Sequence, residues 1–299
     1  MKRSHLNIAL AVAVAGLGAL LWFSREQDEV FPPLTPLAQD AITSIRIDHP
    51  EQPPIRLQKQ DGRWRLVEPV EAPADEFEVA SLVNLATLDI KRSLAVGDVD
   101  LAELKLDPPR YRITLNDIEL AFGDTEPIEH RRYVRSGEQV ALVLDPPSAA
   151  LDADYSDLVA KALLPDGAEI RRIELPGLTV TREAEGGTWT SPEQPDAEPA
   201  RIETLVQAWQ KVRAMWNAKR PADAGDAGEP VRILLADGEL NLRIVEREPQ
   251  LKIDNPAYGV RYTVSKAELD KLTKLPEPTP SPTPTPSPTA TPSTTATAQ

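Results

Sequence analysis

Apolar and polar residues alternate over 42–47, 55–59 and 63–67, the period of half-buried β-strands. Gln60-Asp61-Gly62 forms a hairpin turn between the last two stretches. It leaves Trp64 pointing inward or at a sheet edge. The period then becomes helical. Val79, Val83, Ala86 and Ile90 fall at i, i+4, i+7 and i+11, one face of a helix. Pro73 suits the entry to that helix, and Asp75 suits its N-cap. Alternation returns at 111–115, 118–122, 132–135 and 140–144, with Asn116-Asp117 as a tight hairpin.

The same order recurs further along the chain. Ile42-x-x-Ile45-x-Ile47 reappears as Ile170-x-x-Ile173-x-Leu175, and Ile55-x-Leu57-x-Lys59 as Leu178-x-Val180-x-Arg182. Gly62-Arg63-Trp64 reappears as Gly187-Thr188-Trp189, Pro73-Ala74 as Pro199-Ala200, and Leu115–Leu120 as Leu235–Leu240. A second helical stripe, Leu205, Trp209, Val212 and Trp216, lies 126 residues after the first. Strands follow at 231–235, 240–245, 250–253 and 260–264, with Asp237-Gly238 as a hairpin and 221–229 as a flexible loop. Leu269, Leu272 and Leu275 describe a short closing helix. The expected fold is α+β: two tandem homologous repeats, 41–165 and 168–275, each of antiparallel strands plus one packed helix. Helices are too few for a doubly wound parallel sheet.

The ends depart from this pattern. Leu6 to Phe23 runs 18 residues without a charge. As a helix it spans roughly 27 Å, close to the hydrocarbon thickness of a bilayer. Lys2 and Arg3 favour a cytoplasmic N-terminus, and Trp22 and Phe23 sit where an interfacial belt would. A cleaved signal peptide is the alternative. However, Ala-Val-Ala at 11–13 comes too early, and Leu20–Arg25 lacks a small-x-small site. We expect a membrane anchor at 1–24 and a linker at 25–40 with Pro32, Pro33 and Pro36. The body is then expected on the far side of the membrane, outside the cytoplasm. Residues 276–299 form a Pro/Thr/Ser tail with no apolar side chain larger than Ala, unable to join a core. It is a solvated polyproline-like spacer, or a tether or docking segment.

Composition narrows the function. The chain has 33 Lys+Arg against 47 Asp+Glu, a net charge of -14, which argues against nucleic acid as a partner. Setting aside the two cations of 1–24 and Glu277 of the tail leaves a body of charge -15. Such a body is disfavoured on anionic lipid. With 0 Cys there is no disulfide, thiolate nucleophile or Cys-ligated metal.

Candidate chemistry is sparse. Phosphate-loop, dinucleotide, nucleophile-elbow and H-E-x-x-H motifs are absent. His5 lies in the N-terminal stretch, and His49 and His130 in loops. Asp152-Ala-Asp154-Tyr-Ser-Asp157 begins like a calcium loop. Asp157 replaces the glycine at position six, and Leu163 the acid at position twelve. The segment therefore reads as an acidic helix N-terminus. Asp98, Asp100 and Glu103 read as a solvated loop, and Asp223, Asp226 and Glu229 belong to the flexible one. A carboxylate pair for glycoside cleavage, distant in sequence, stays open. Trp209 and Trp216 read as core, or as a sugar- or peptide-binding platform if exposed. No catalytic, cofactor-binding or metal-binding residue is assigned.

Several motifs carry a resemblance. They are Ile42/Ile45/Ile47, Gly62/Trp64, Pro69/Pro73/Ala74/Asp75 before a helix, Leu104/Leu106/Asp107/Pro109 before a strand, and Arg132/Tyr133/Val134. With the N-terminal anchor, these resemble bacterial domain-of-unknown-function family 4340 over about 41–275. The resemblance implies an envelope protein associated with ABC-type transport systems, including gliding-motility-like auxiliary subunits, and carries over no catalytic residue. The expectation is a non-enzymatic, membrane-anchored accessory or scaffold protein, partnered by an ABC-type permease or ATPase. The alternative is a periplasmic glycan-binding module or hydrolase.

Overall fold

The computed structural model describes residues 31–146, 154–182 and 186–278, together with Val14 and Gly16. The rest of the expected anchor, residues 25–30 of the linker, Asp152, and the tail beyond Pro278 lie outside the described residues. Among the described residues no helix is long and apolar enough to cross a membrane. The chain divides into two compact units, Met1–Ala160 and Lys161–Gln299.

The first unit is built on one sheet. Its strands are β1 (Ser44–Asp48), β2 (Ile55–Gln60), β3 (Arg63–Glu68), β4 (Ala72–Pro73), β5 (Arg92–Ala95), β6 (Tyr111–Leu115), β7 (Ile118–Thr125), β8 (Arg131–Ser136) and β9 (Gln139–Leu144). They lie in the order β4-β3-β2-β1-β6-β7-β8-β9-β5, and neighbours pair antiparallel. Alternation places Ile45, Leu57, Leu66, Ile113, Leu120 and Phe122 in the core with no exposed surface. Helix α1 (Glu76–Asn84) starts where the Asp75 carboxylate accepts the Phe77 and Glu78 N–H groups at 3.1 and 3.2 Å. That satisfies two of the four donors a helix start leaves open.

The second unit holds β10 (Ile170–Leu175), β11 (Leu178–Arg182), β12 (Trp189–Thr190), α2 (Pro199–Lys211), β13 (Trp216–Lys219), β14 (Glu229–Leu235), β15 (Glu239–Glu246), β16 (Leu251–Asn255), β17 (Val260–Val264) and α3 (Leu269–Thr273). Its sheet runs β12-β11-β10-β14-β15-β16-β17-β13. Apart from β4, which has no counterpart among the described residues, this is the strand order of the first sheet. The registers agree as well. Ile45 faces Leu57 as Ile173 faces Val180, and Thr114 faces Glu119 as Leu234 faces Glu239. Trp64 sits opposite Lys59, and Trp189 opposite Arg182. The fold is α+β: mostly antiparallel sheets with three short helices among the described residues.

The helices correct the expected stripes. α1 stops at Asn84, and a 3₁₀ turn follows at Leu85–Thr87. The buried set is Val79, Leu82, Leu85 and Ala86, while Val83 and Ile90 are only half-buried. α2 buries Ile202, Leu205, Val206 and Trp209, and the backbone turns extended at Val212. Trp216 therefore belongs to β13 and not to the helix. The N-caps are Asp75 and Glu198, so the helices match 123 residues apart and not 126. Pro73 is a strand residue and Pro199 opens a helix, so these two are not equivalent. Strands β4, β5 and β13 were not expected.

Candidate functional site

Alternation that buries one sheet face leaves the other to polar side chains. On the second sheet, Arg172 and Glu174 of β10, Arg232 of β14, and Asn241 and Arg243 of β15 occupy that outer face. A trough of about 470 Å³ lies there. Pro176, Pro230 and Pro256 give it an apolar lining, and Glu174, Thr179, Arg232, Asn241 and Arg243 a polar one. A smaller hollow of about 80 Å³, between Arg172, Glu174, Arg232 and Leu234, shares two of those residues. Three guanidiniums thus stand on three adjacent strands.

Their partners differ. Arg172 Nε meets Glu174 Oε1 at 3.1 Å, and Arg232 Nη2 meets Glu239 Oε2 at 2.5 Å. The Arg232 hydrogen bond, followed by that of Asn241, holds the Glu239 carboxyl below its usual range. The first unit repeats this ion pair, with Arg112 Nε 3.4 Å from Glu119 Oε1 at the matching register. Arg243 instead reaches the loop before β14. Its Nη2 lies 2.9 Å from Asp226 Oδ1, and its Nη1 donates to the Asp226 main-chain oxygen at 2.6 Å.

That loop, within the segment 221–229 expected to be flexible, makes contacts with the strands around it. Arg220 donates to the Gly225 carbonyl, and a side chain at Gly228 would meet the Ile244 carbonyl at 2.7 Å. Gly228 also has φ +95°, a conformation that only glycine adopts without strain. Beside the loop, Asp254 is fully buried between Arg220 Nε at 3.2 Å and Arg261 Nε at 2.6 Å. The buried carboxylate is neutralised by two cations and accepts a further hydrogen bond from Arg261 Nη2 at 2.9 Å.

The other sequence candidates disperse. His49 lies against Tyr111, which stacks on Phe122 at 4.8 Å, and His130 is an exposed residue with φ +54°. Asp154 accepts the Ser156 N–H and hydroxyl, closing a local turn. Asp100 accepts the Ala102 and Glu103 N–H groups in a shallow depression of the first unit. Glu229 pairs with Arg247 at 2.6 Å. Among the described residues no three potential ligands gather for a metal. Trp209 is fully buried and donates to the Leu272 carbonyl at 2.9 Å, whereas Trp216 is 48% exposed beside Met215.

The family model described as "Domain of unknown function (DUF4340)" matches residues 64–227. The chain belongs to this family. The DUF4340 match begins at Trp64 in β3 and ends in the loop that holds Arg243. Glu174 and Thr179 of the trough fall inside it, and Arg232, Asn241 and Arg243 beyond it. No curated protein and no solved structure matches the chain. The trough arginines escaped the sequence reading, although their signal was present as the polar positions of the expected strands 231–235 and 240–245.

Proposed function

We propose that the protein is a non-enzymatic accessory or scaffold protein of the bacterial envelope, anchored in the inner membrane through 6–23 with its body in the periplasm. It binds a partner protein, expected to be the permease or ATPase of an ABC-type transport system. The observation that carries this reading is the outer face of the second sheet. There a shallow trough joins paired guanidiniums to an apolar lining, a surface suited to recognition by contact. The body is read as a duplication of one α+β unit, supported by the shared strand order and by matched registers at Trp64 and Trp189. Crosslinking in membranes followed by pull-down and mass spectrometry tests the partner. Recovery of a permease and ATPase is expected, and recovery of neither across repeated crosslinkers would refute the assignment. An active C-terminal alkaline phosphatase fusion and resistance to carbonate extraction are expected of the anchor. A shortened soluble form would show cleavage instead.

A second reading has its own observation. Trp216 stands half-exposed on the edge strand β13 beside exposed Met215, as a sugar-stacking platform requires. If it binds glycan, peptidoglycan fragments should change tryptophan fluorescence in the wild type and not in Trp216→Ala. No change in either rejects this reading.

A further inference from the structure

We propose that the trough on the second sheet docks an acidic peptide segment of a partner protein, with Arg243 as the carboxylate anchor and Asp226 as its resident, displaceable occupant. This narrows the partner-binding reading above and rests on it. Arg172 and Arg232 are committed to Glu174 and Glu239, acids fixed on the sheet itself. Arg243 is different, because its carboxylate comes from a loop residue whose side chain is 93% exposed. Asp226 gives Arg243 both its carboxylate and its main-chain carbonyl, at 2.9 and 2.6 Å. An aspartyl residue of an incoming extended peptide can offer the same two acceptors. An exposed ion pair contributes only about 0–1 kcal/mol, so exchanging one aspartate for another is nearly neutral. Neighbouring contacts then decide occupancy. The Asn241 amide and the Pro176, Pro230 and Pro256 lining supply them beside the guanidinium. Among the described residues lining the trough, Glu174 and Arg232 are held by partners on the strands, which leaves Arg243 as the guanidinium whose carboxylate comes from a loop.

The test uses the full chain in detergent micelles and a fluorescein-labelled peptide, Leu-Asp-Ala-Leu-Asp, followed by anisotropy. Asp226→Asn removes the resident carboxylate while leaving the main-chain carbonyl, and should tighten binding about two- to five-fold. Arg243→Gln should weaken it about two- to five-fold, the worth of the exposed ion pair that is lost. Arg243→Lys, which keeps the charge without the fork, should fall between, and thermal melting confirms that each variant is folded. The Asn-for-Asp peptide should bind about two- to five-fold more weakly than the aspartyl peptide. Equal binding by wild type and folded Arg243→Gln overturns the site, as does no tightening in Asp226→Asn. Competition by inorganic phosphate at the peptide's own concentration would make this a general anion site and also overturn it. A pull-down partner retained equally by Arg243→Gln would leave the partner-binding reading standing while removing this site. Peptide binding with no partner recovered would do the reverse.

Discussion

Asp254 carries its charge with no exposed surface, and its two guanidinium partners are only partly exposed. Removing the carboxylate leaves Arg220 and Arg261 short of their counter-ion in a poorly hydrated place. Asp254→Ala should therefore lower stability by about 3 kcal/mol in a urea titration. Arg112→Ala breaks an exposed pair with Glu119 and should change it by less than about 0.5 kcal/mol. If both variants fall by the same amount, burial is not what distinguishes them. The tryptophans divide in the same way. Trp189 is 7% exposed, and Trp189→Ala should cost about 3–5 kcal/mol. Trp64 holds the equivalent register but is half-buried, so Trp64→Ala should cost about half as much by the same measurement.

The helices of the two units begin at matching residues with unequal caps. Asp75 accepts two N–H groups, while Glu198 makes no side-chain cap bond. Asp75→Ala should lose about 1 kcal/mol and Glu198→Ala almost nothing, whereas Glu198→Ser should gain up to about 1 kcal/mol. A Glu198→Ser variant that melts no higher would show that the Pro199 turn already satisfies those donors. At this scale the sequence was legible wherever alternation was strong, as in β1, β2, β6, β7, β14 and β15. It misled at the helix ends. Val212 and Trp216 extend the helical spacing beyond Lys211, although the backbone has already turned extended. β5 was invisible because only Leu94 of its four residues is even half-buried. The outer-face arginines were illegible as a group: each holds a polar position of an expected strand, but strand register is what brings Arg172, Arg232 and Arg243 together.

Across the whole molecule, the core of the described residues lies within the two compact units, and the composition of the tail predicts that it adds nothing to it. Leu272 is fully buried on α3, and its carbonyl takes the Trp209 N–H, so the second unit is closed by residue 275. Pro276, Glu277 and Pro278 are exposed, and the Pro276 carbonyl accepts from Arg201 Nε at 2.7 Å. One exposed hydrogen bond contributes at most about 1 kcal/mol. The 24 residues from 276 include 8 Pro and 8 Thr, with no side chain that could fill a core position. Proline also removes backbone donors at alternate positions, which bars the segment from a central strand. Truncation after Leu275 should therefore shift the melting temperature of the body by no more than a few degrees, about the upper limit that one such bond allows. Any larger effect should appear in partner recovery and not in unfolding. A drop well beyond that limit would mean that residues past Pro278 pack on the body, and the spacer reading of the tail would fail.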